Sequence, residues 1–151
     1  MKLSRQSLAL AVLAIITWLS MTAPAWSADK KVHQPSTTRN KIVMQISDED
    51  THKWNSVLSN IRNVQHELGT GNVKIVVVAY GAGLGMLTLD SPVGGEVTDA
   101  MKTGIEFIAC ENTMKGQHLT KDDMLPELGY APAAIVKIMQ LQQQGYAYVK
   151  P

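Results

Sequence analysis

The chain has 151 residues, with 14 Lys and Arg against 13 Asp and Glu, a formal charge of +1 and a single cysteine. That length suits one domain with one core. A near-neutral balance with no basic block gives no electrostatic case for nucleic acid, and a lone cysteine excludes an internal disulfide.

Lys2 and Arg5 open the chain, residues 8–19 (LALAVLAIITWL) form an apolar run of 12, and residues 20–28 (SMTAPAWSA) are small and contain the helix breaker Pro24. This order is expected of a secretory signal peptide over residues 1–28, cut after Ala25, Ser27 or Ala28. The alternative, an uncleaved anchor, would want about 20 apolar residues. The expectation is therefore a periplasmic protein with no membrane span once the signal is removed. The remaining 123 residues carry 12 basic against 13 acidic side chains. Residues 29–40 (DKKVHQPSTTRN) are polar and aperiodic, as in a flexible lead-in.

Residues 41–46 (KIVMQI) predict a short strand. Ser47-Asp48-Glu49-Asp50 has the form of a capping box, and Trp54, Val57, Leu58, Ile61, Val64 and Leu68 then follow at helical spacing until Gly69, Gly71 and Asn72 stop the pattern. Residues 73–79 (VKIVVVA) are β-branched almost without alternation, as in a strand covered on both faces. A glycine-rich turn follows Tyr80. Ser91-Pro92 predicts a helix start, with Val93, Val97 and Met101 on one face and Gly104 at its end. Residues 105–110 form another apolar strand, and residues 111–116 a short helix. Thr120-Lys-Asp-Asp starts one more helical turn, closed by Pro126. A brief strand over residues 127–131, a helix opened by Pro132 with Ala134, Ile135, Ile138, Met139 and Leu141, and a last strand over 146–149 complete the chain. Strands alternating with helices predict a three-layer α/β/α domain with a mainly parallel five-stranded sheet.

Cys110 sits at a strand end, where ligand sites of open parallel sheets gather. The following helix would supply free N–H groups and the positive end of its dipole, which favour a thiolate, while Glu111 opposes it. On position alone Cys110 is either a functional thiol or a buried small hydrophobe. Residues 80–86 (YGAGLGM) bear on a dinucleotide loop, but Met86 stands where its third glycine belongs, so a turn allowing close passage to the Cys110 loop is the better reading. Asp48 shares the same sheet edge, and helix capping accounts for it. His52 and His66 are 14 residues apart on one helix, about 21 Å at 1.5 Å per residue, and cannot share an ion. His118 lies eight residues after Cys110 and is a candidate base or co-ligand. Met86, Met101, Met114, Met124 and Met139 are scattered at core-like positions, which fits packing better than copper ligation. No Ser/His/Asp elbow, HExxH, phosphate loop or paired-cysteine zinc motif is present, so no cofactor or metal is expected and hydrolase and kinase chemistry has no residues to use.

Residues 73–81 (VKIVVVAYG), Asp90-Ser-Pro-Val, residues 104–115 (GIEFIACENTMK), Leu119-Thr120, Leu125-Pro126 and the ending GYAYVKP together resemble the DsrE/DsrF-like family, also called YchN-like, in what looks like an exported branch. The resemblance spans residues 41–151 and is most specific at the single cysteine and the Asn-Thr-Met that follows. It implies an α/β/α domain with a five-stranded parallel sheet, assembled as a trimer or hexamer. Several relatives in sulfur relays carry sulfur as a persulfide on a strand-end cysteine about nine residues before a Leu/Ile-Thr pair, a spacing that Cys110 and Leu119-Thr120 reproduce. The resemblance thus implies a sulfur carrier or sulfurtransferase-like protein, with Cys110 exchanging sulfur between a sulfane-sulfur donor and a thiol acceptor. The characterised relays are cytoplasmic, so an exported member needs other donors and acceptors. Tyr80, Gly81, Asn112 and Thr113 are the candidate pocket lining. The alternatives are a non-catalytic oligomeric binding module with a buried structural cysteine, or a metal-handling protein using Cys110, His118 and Met114.

Overall fold

The computed structural model describes residues 40–151. The expected signal peptide and all of the lead-in except Asn40 lie outside the described residues. Five strands, β1 (Asn40–Ile46), β2 (Val73–Ala79), β3 (Glu106–Cys110), β4 (Gly129–Ala131) and β5 (Ala147–Val149), form one sheet in the order β4-β3-β2-β1-β5. Every pairing is parallel. The helices are α1 (Thr51–Leu68), α2 (Gly94–Lys102), α3 (Glu111–Gly116) and α4 (Ala134–Gln143). Short 3-10 segments occupy Thr70–Asn72, Gly81–Leu87 and Lys121–Asp123.

Side-chain alternation in the strands divides the core into two clusters. Met44, Ile46, Ile75, Val77, Ala79, Phe107 and Ala109 pack with Trp54, Val57, Leu58 and Ile61 of α1 and Val97 of α2. Val43, Val76, Val78, Ile108, Cys110 and Ala131 pack with Ala134, Ile138 and Leu141 of α4. β2 is buried at every position except Lys74, which is why its sequence shows no polar alternation. Each Val or Ile taken out of water here contributes about 1.5–3 kcal/mol. The fold is the expected five-stranded parallel α/β domain.

Several boundaries differ from the sequence pattern. The N-cap of α1 is Asp50, whose Oδ1 accepts from the N–H groups of His52 and Lys53 at 2.9 and 3.3 Å. Ser47 and Asp48 do not cap it. Asp48 instead pairs with Lys53 Nζ at 3.0 Å, and its carbonyl accepts the indole N–H of Trp54 at 2.9 Å. α2 begins at Gly94, two residues beyond Pro92, because Ser91-Pro92 forms a turn in which the Gly94 N–H donates to the Ser91 carbonyl. Thr120-Lys-Asp-Asp makes a capping box between Thr120 and Asp123, but only for a 3-10 turn. Met86, Met114 and Met124 are core residues as expected, whereas Met139 is 49% exposed on the outer side of α4.

The reversal of strand order falls at β1. α1 and α2 connect the strands running from β1 toward β3 over one face, while α4 carries the chain from β4 across the other face to β5. Crevices of such sheets form at the carboxyl strand ends beside a reversal of this kind. The carboxyl ends of β1, β2 and β3 hold Ile46, Ala79 and Cys110.

Candidate functional site

Cys110 is the last residue of β3 and the N-cap of α3, with extended backbone. Alternation directs it to the α4 face, together with Ile108. It is a free thiol, 5% exposed. On one side β4 runs level with it, since Cys110 pairs with Ala131 in register. The thiol S–H points to the Pro132 carbonyl at 3.9 Å, and the same carbonyl accepts the Asn112 N–H at 3.2 Å. The strand end, the first turn of α3 and the entry to α4 therefore meet at one sulfur.

Burial pushes the Cys110 thiol up. The Thr113 hydroxyl and the N–H groups of Thr113, Ala134 and Asn112, gathered near the sulfur, favour its ionised form and outweigh that effect, so the net displacement is below the ordinary thiol value. The carboxylate of Glu111 is not among the causes.

Thr113 and Gly81 are brought together. The Gly81 N–H donates to Thr113 Oγ1 at 3.1 Å, and Gln117 Nε2 donates to the Gly81 carbonyl at 3.1 Å. Gly81 has a φ of 56°, which favours glycine. The glycine-rich turn thus clamps α3 from the side of β2. Its tightest approach is elsewhere: a Cβ on Gly83 would stand 2.7 Å from the Ile46 carbonyl carbon and the Ser47 nitrogen. This passage over the end of β1, rather than a bound phosphate, accounts for a glycine there.

Tyr80 follows β2 one residue beyond the Ala79–Ala109 pair, so it stands level with Cys110 and packs on the same cluster. Its hydroxyl accepts from Gln45 Nε2, and Gln45 Oε1 accepts the hydroxyl of Tyr148. Burial, with the nearby Tyr148 and Asp48, raises the Tyr80 phenol above its ordinary value against the opposing Ser47 hydrogen bond, which keeps it protonated. Gln45 and Tyr148 carry no motif. The only hint in the sequence is that Gln45 breaks the apolar run KIVMQI at its carboxyl end.

Asn112 is exposed at the rim and Thr113 half-buried. His118 is exposed at a left-handed φ of 58°, with its N–H bonded to the Lys115 carbonyl. Met114 is buried in the cluster on the other face of the sheet from Cys110. Among the described residues no three His, Cys, Asp or Glu side chains converge on a point that could hold a metal ion.

Two hollows stand out among the described residues. One, about 250 Å³, lies between α1 and α2 over Leu58, Ile61 and Ala100, on the face opposite Cys110. The other, about 450 Å³, runs along β4 and α4 over Ala131, Pro132 and Val136. It adjoins the site through Pro132 and Ala131, the residues that bound the sulfur.

Comparison with known proteins gives the same outline. Residues 41–151 match the model of the DsrE/DsrF-like family. A solved protein of unknown function from Methanobacterium thermoautotrophicum, MTH1491, is 31% identical with a TM-score of 0.71, the match covering 74% of this chain and 99% of that one. A conserved protein of unknown function from Bacteroides thetaiotaomicron, BT1422, is 12% identical with a TM-score of 0.63, covering 78% of this chain and 100% of that one, and shows likeness of fold alone. No curated protein matches the chain.

Proposed function

Because the chain belongs to the DsrE/DsrF-like family, which is associated in general with sulfur relay, we propose that it is an exported sulfur carrier holding sulfane sulfur as a persulfide on Cys110. The observation that carries this reading is the position of the sulfur, at the carboxyl end of β3, on the N-cap of α3 and beside the entry to α4, where the Thr113 hydroxyl and nearby N–H groups hold the thiol below its ordinary value despite burial. The thiolate is the nucleophilic form. In the loading step it attacks a divalent sulfur of a sulfane donor such as hydrogen disulfide. The Cys110 S–S bond forms, the donor S–S bond breaks, and hydrosulfide leaves with the electron pair, so no separate oxidant is consumed. An acceptor thiolate then attacks the outer sulfur and Cys110 leaves as thiolate. Tyr80, Gly81, Asn112 and Thr113 border this exchange on the side of β2 and α3.

The same reading places the protein in the periplasm after removal of residues 1–28. No helix among the described residues is long and apolar enough to cross a membrane. It also includes assembly as a homo-trimer or hexamer, supported by the apolar side chains that α4 and β5 leave in solvent, among them Ile135, Met139 and Tyr148.

The test is loading. Reduced protein is incubated with polysulfide or tetrathionate, freed of excess reagent and weighed intact beside Cys110→Ala. A sulfur adduct confined to the wild type, released by a thiol and prevented by prior iodoacetamide, is expected. An unmodified wild type, or equal loading of Cys110→Ala, overturns the reading. The 5% exposure of Cys110 favours a second reading, a binding module with a packed thiol. In that case Ellman's reagent reacts only after denaturation.

A further inference from the structure

The hollow of about 450 Å³ beside the site is lined by Tyr130, Ala131, Pro132, Ala133, Val136, Lys137 and Gln140. Its chemistry is one-sided. Ala131, Pro132 and Val136 give it an apolar wall, and Val136 is 46% exposed, an uncovered valine on the outer side of α4. Gln140 adds an amide. Lys137 supplies an ammonium, and the Lys121 Nζ sits 4.3 Å above the ring of Tyr130, holding a second cation at the rim. No acidic residue lines the hollow. Neither lysine forms an ion pair with a carboxylate among the described residues.

The hollow is also joined to the sulfur. Ala131 is the register partner of Cys110, the Pro132 carbonyl accepts the thiol S–H, and the Ala134 N–H favours the thiolate from the next residue but one. Pro132 thus meets the sulfur through its carbonyl and also lines the hollow. A ligand seated there needs to reach past one proline to meet Cys110. The volume lies within the roughly 300–1,000 Å³ of organic-ligand sites, far more than hydrosulfide or a short inorganic polysulfide fills.

From the apolar wall, the two cations and the absence of a lining acid, we infer that this hollow seats the exchange partner of Cys110, and that the partner is a small organic thiol, or its persulfide, carrying at least one carboxylate. The inference rests on the sulfur-carrier reading and adds to it the chemical class of the partner. Lys137 binds the carboxylate, Val136 and Pro132 pack the carbon skeleton, and the thiol end reaches the sulfur. Lys137 is a specificity-determining residue, outside the bond-making atoms.

The test compares two disulfide probes of opposite charge, glutathione disulfide and cystamine, on reduced wild type, Lys137→Gln and Lys137→Glu at low salt. Each probe reacts in the same balanced way: the Cys110 thiolate attacks one sulfur, a mixed disulfide forms, and the other half leaves as thiolate. Intact mass gives the rate. Lys137→Glu is expected to slow glutathione disulfide about five- to tenfold and leave cystamine unchanged or faster, with Lys137→Gln between and the difference shrinking in high salt. Equal effects on both probes, or none on either, overturn the inference. Polysulfide loading of the wild type, run in parallel, separates the two claims. Loading without charge discrimination removes the hollow and leaves the carrier. Neither loading nor exchange removes both.

Discussion

The Cys110 sulfur is held between opposing effects, and their balance is measurable. Removing water raises the thiol pKa, and the donors from α3 and the start of α4 lower it further than burial raises it. The midpoint of iodoacetamide alkylation against pH is therefore expected below that of an unstructured cysteine. Thr113→Val deletes one donor to the ionised form and should move that midpoint upward. An unmoved midpoint would mean that the Thr113 hydroxyl serves only Gly81. The linkage has a definite sign. A depressed folded pKa contributes stability above the unfolded thiol pKa, and this contribution is lost as pH falls through the folded value. The stability difference between wild type and Cys110→Ala should accordingly grow from neutral to alkaline pH in urea unfolding. That Cys110 ends a strand was legible in the apolar run before it. That Pro132, 22 residues away, offers its carbonyl to the thiol was not, because parallel pairing of β3 with β4 sets Cys110 beside Ala131 without any trace in local sequence.

At the scale of single elements, the ends of helices and the passage of a loop decide what the pattern leaves open. Three residues of the capping type, Ser47, Asp48 and Asp50, precede α1, and the chain uses the last. Asp48 is drawn off by Lys53, and its carbonyl by Trp54, since a buried indole N–H needs an acceptor. Asp50→Ala should then cost about 1 kcal/mol in urea unfolding, while Ser47→Ala stays within a few tenths. Equal costs would place the cap elsewhere. Gly83 gives a larger effect. Any side chain there meets the backbone of Ile46 and Ser47, which cannot swing aside as a flexible side-chain tip would. Gly83→Ala is expected to destabilise by about 1–3 kcal/mol and to lower the melting temperature, whereas Gly95→Ala, with open space around it, is expected to be harmless or mildly stabilising inside α2.

For the molecule as a whole, the two faces of the sheet are unequally covered. α1 and α2 close one; α4 spans the other and leaves Ile135, Val136 and Met139 in solvent. If the protein assembles through this side, Ile135→Asp with Met139→Asp should reduce the sedimenting species to a monomer without unfolding it; an unchanged assembly would locate the contact elsewhere. Export is tested on the full chain in a bacterial host. The mature product is expected in the periplasmic fraction with a mass lacking residues 1–28, or ending at one of the two neighbouring cleavage bonds.

By itself the sequence determined the class of fold, because short β-branched runs bounded by glycine-rich turns have the length and composition of strands covered on both sides, and the helical stripes between them supply the cover. It determined, too, that one thiol stands at a strand end. The tertiary structure alone decided what surrounds that thiol. Strand order β4-β3-β2-β1-β5 brings Pro132 and Ala134 to one side of Cys110 and Tyr80, tied through Gln45 to Tyr148, to the other. Those neighbours come from strands and strand ends far apart in the chain, and hydrogen bonds between strands join backbone groups that nearly every residue possesses. Their choice of partner is fixed by how two helical layers fit the sheet, a property of the packed whole.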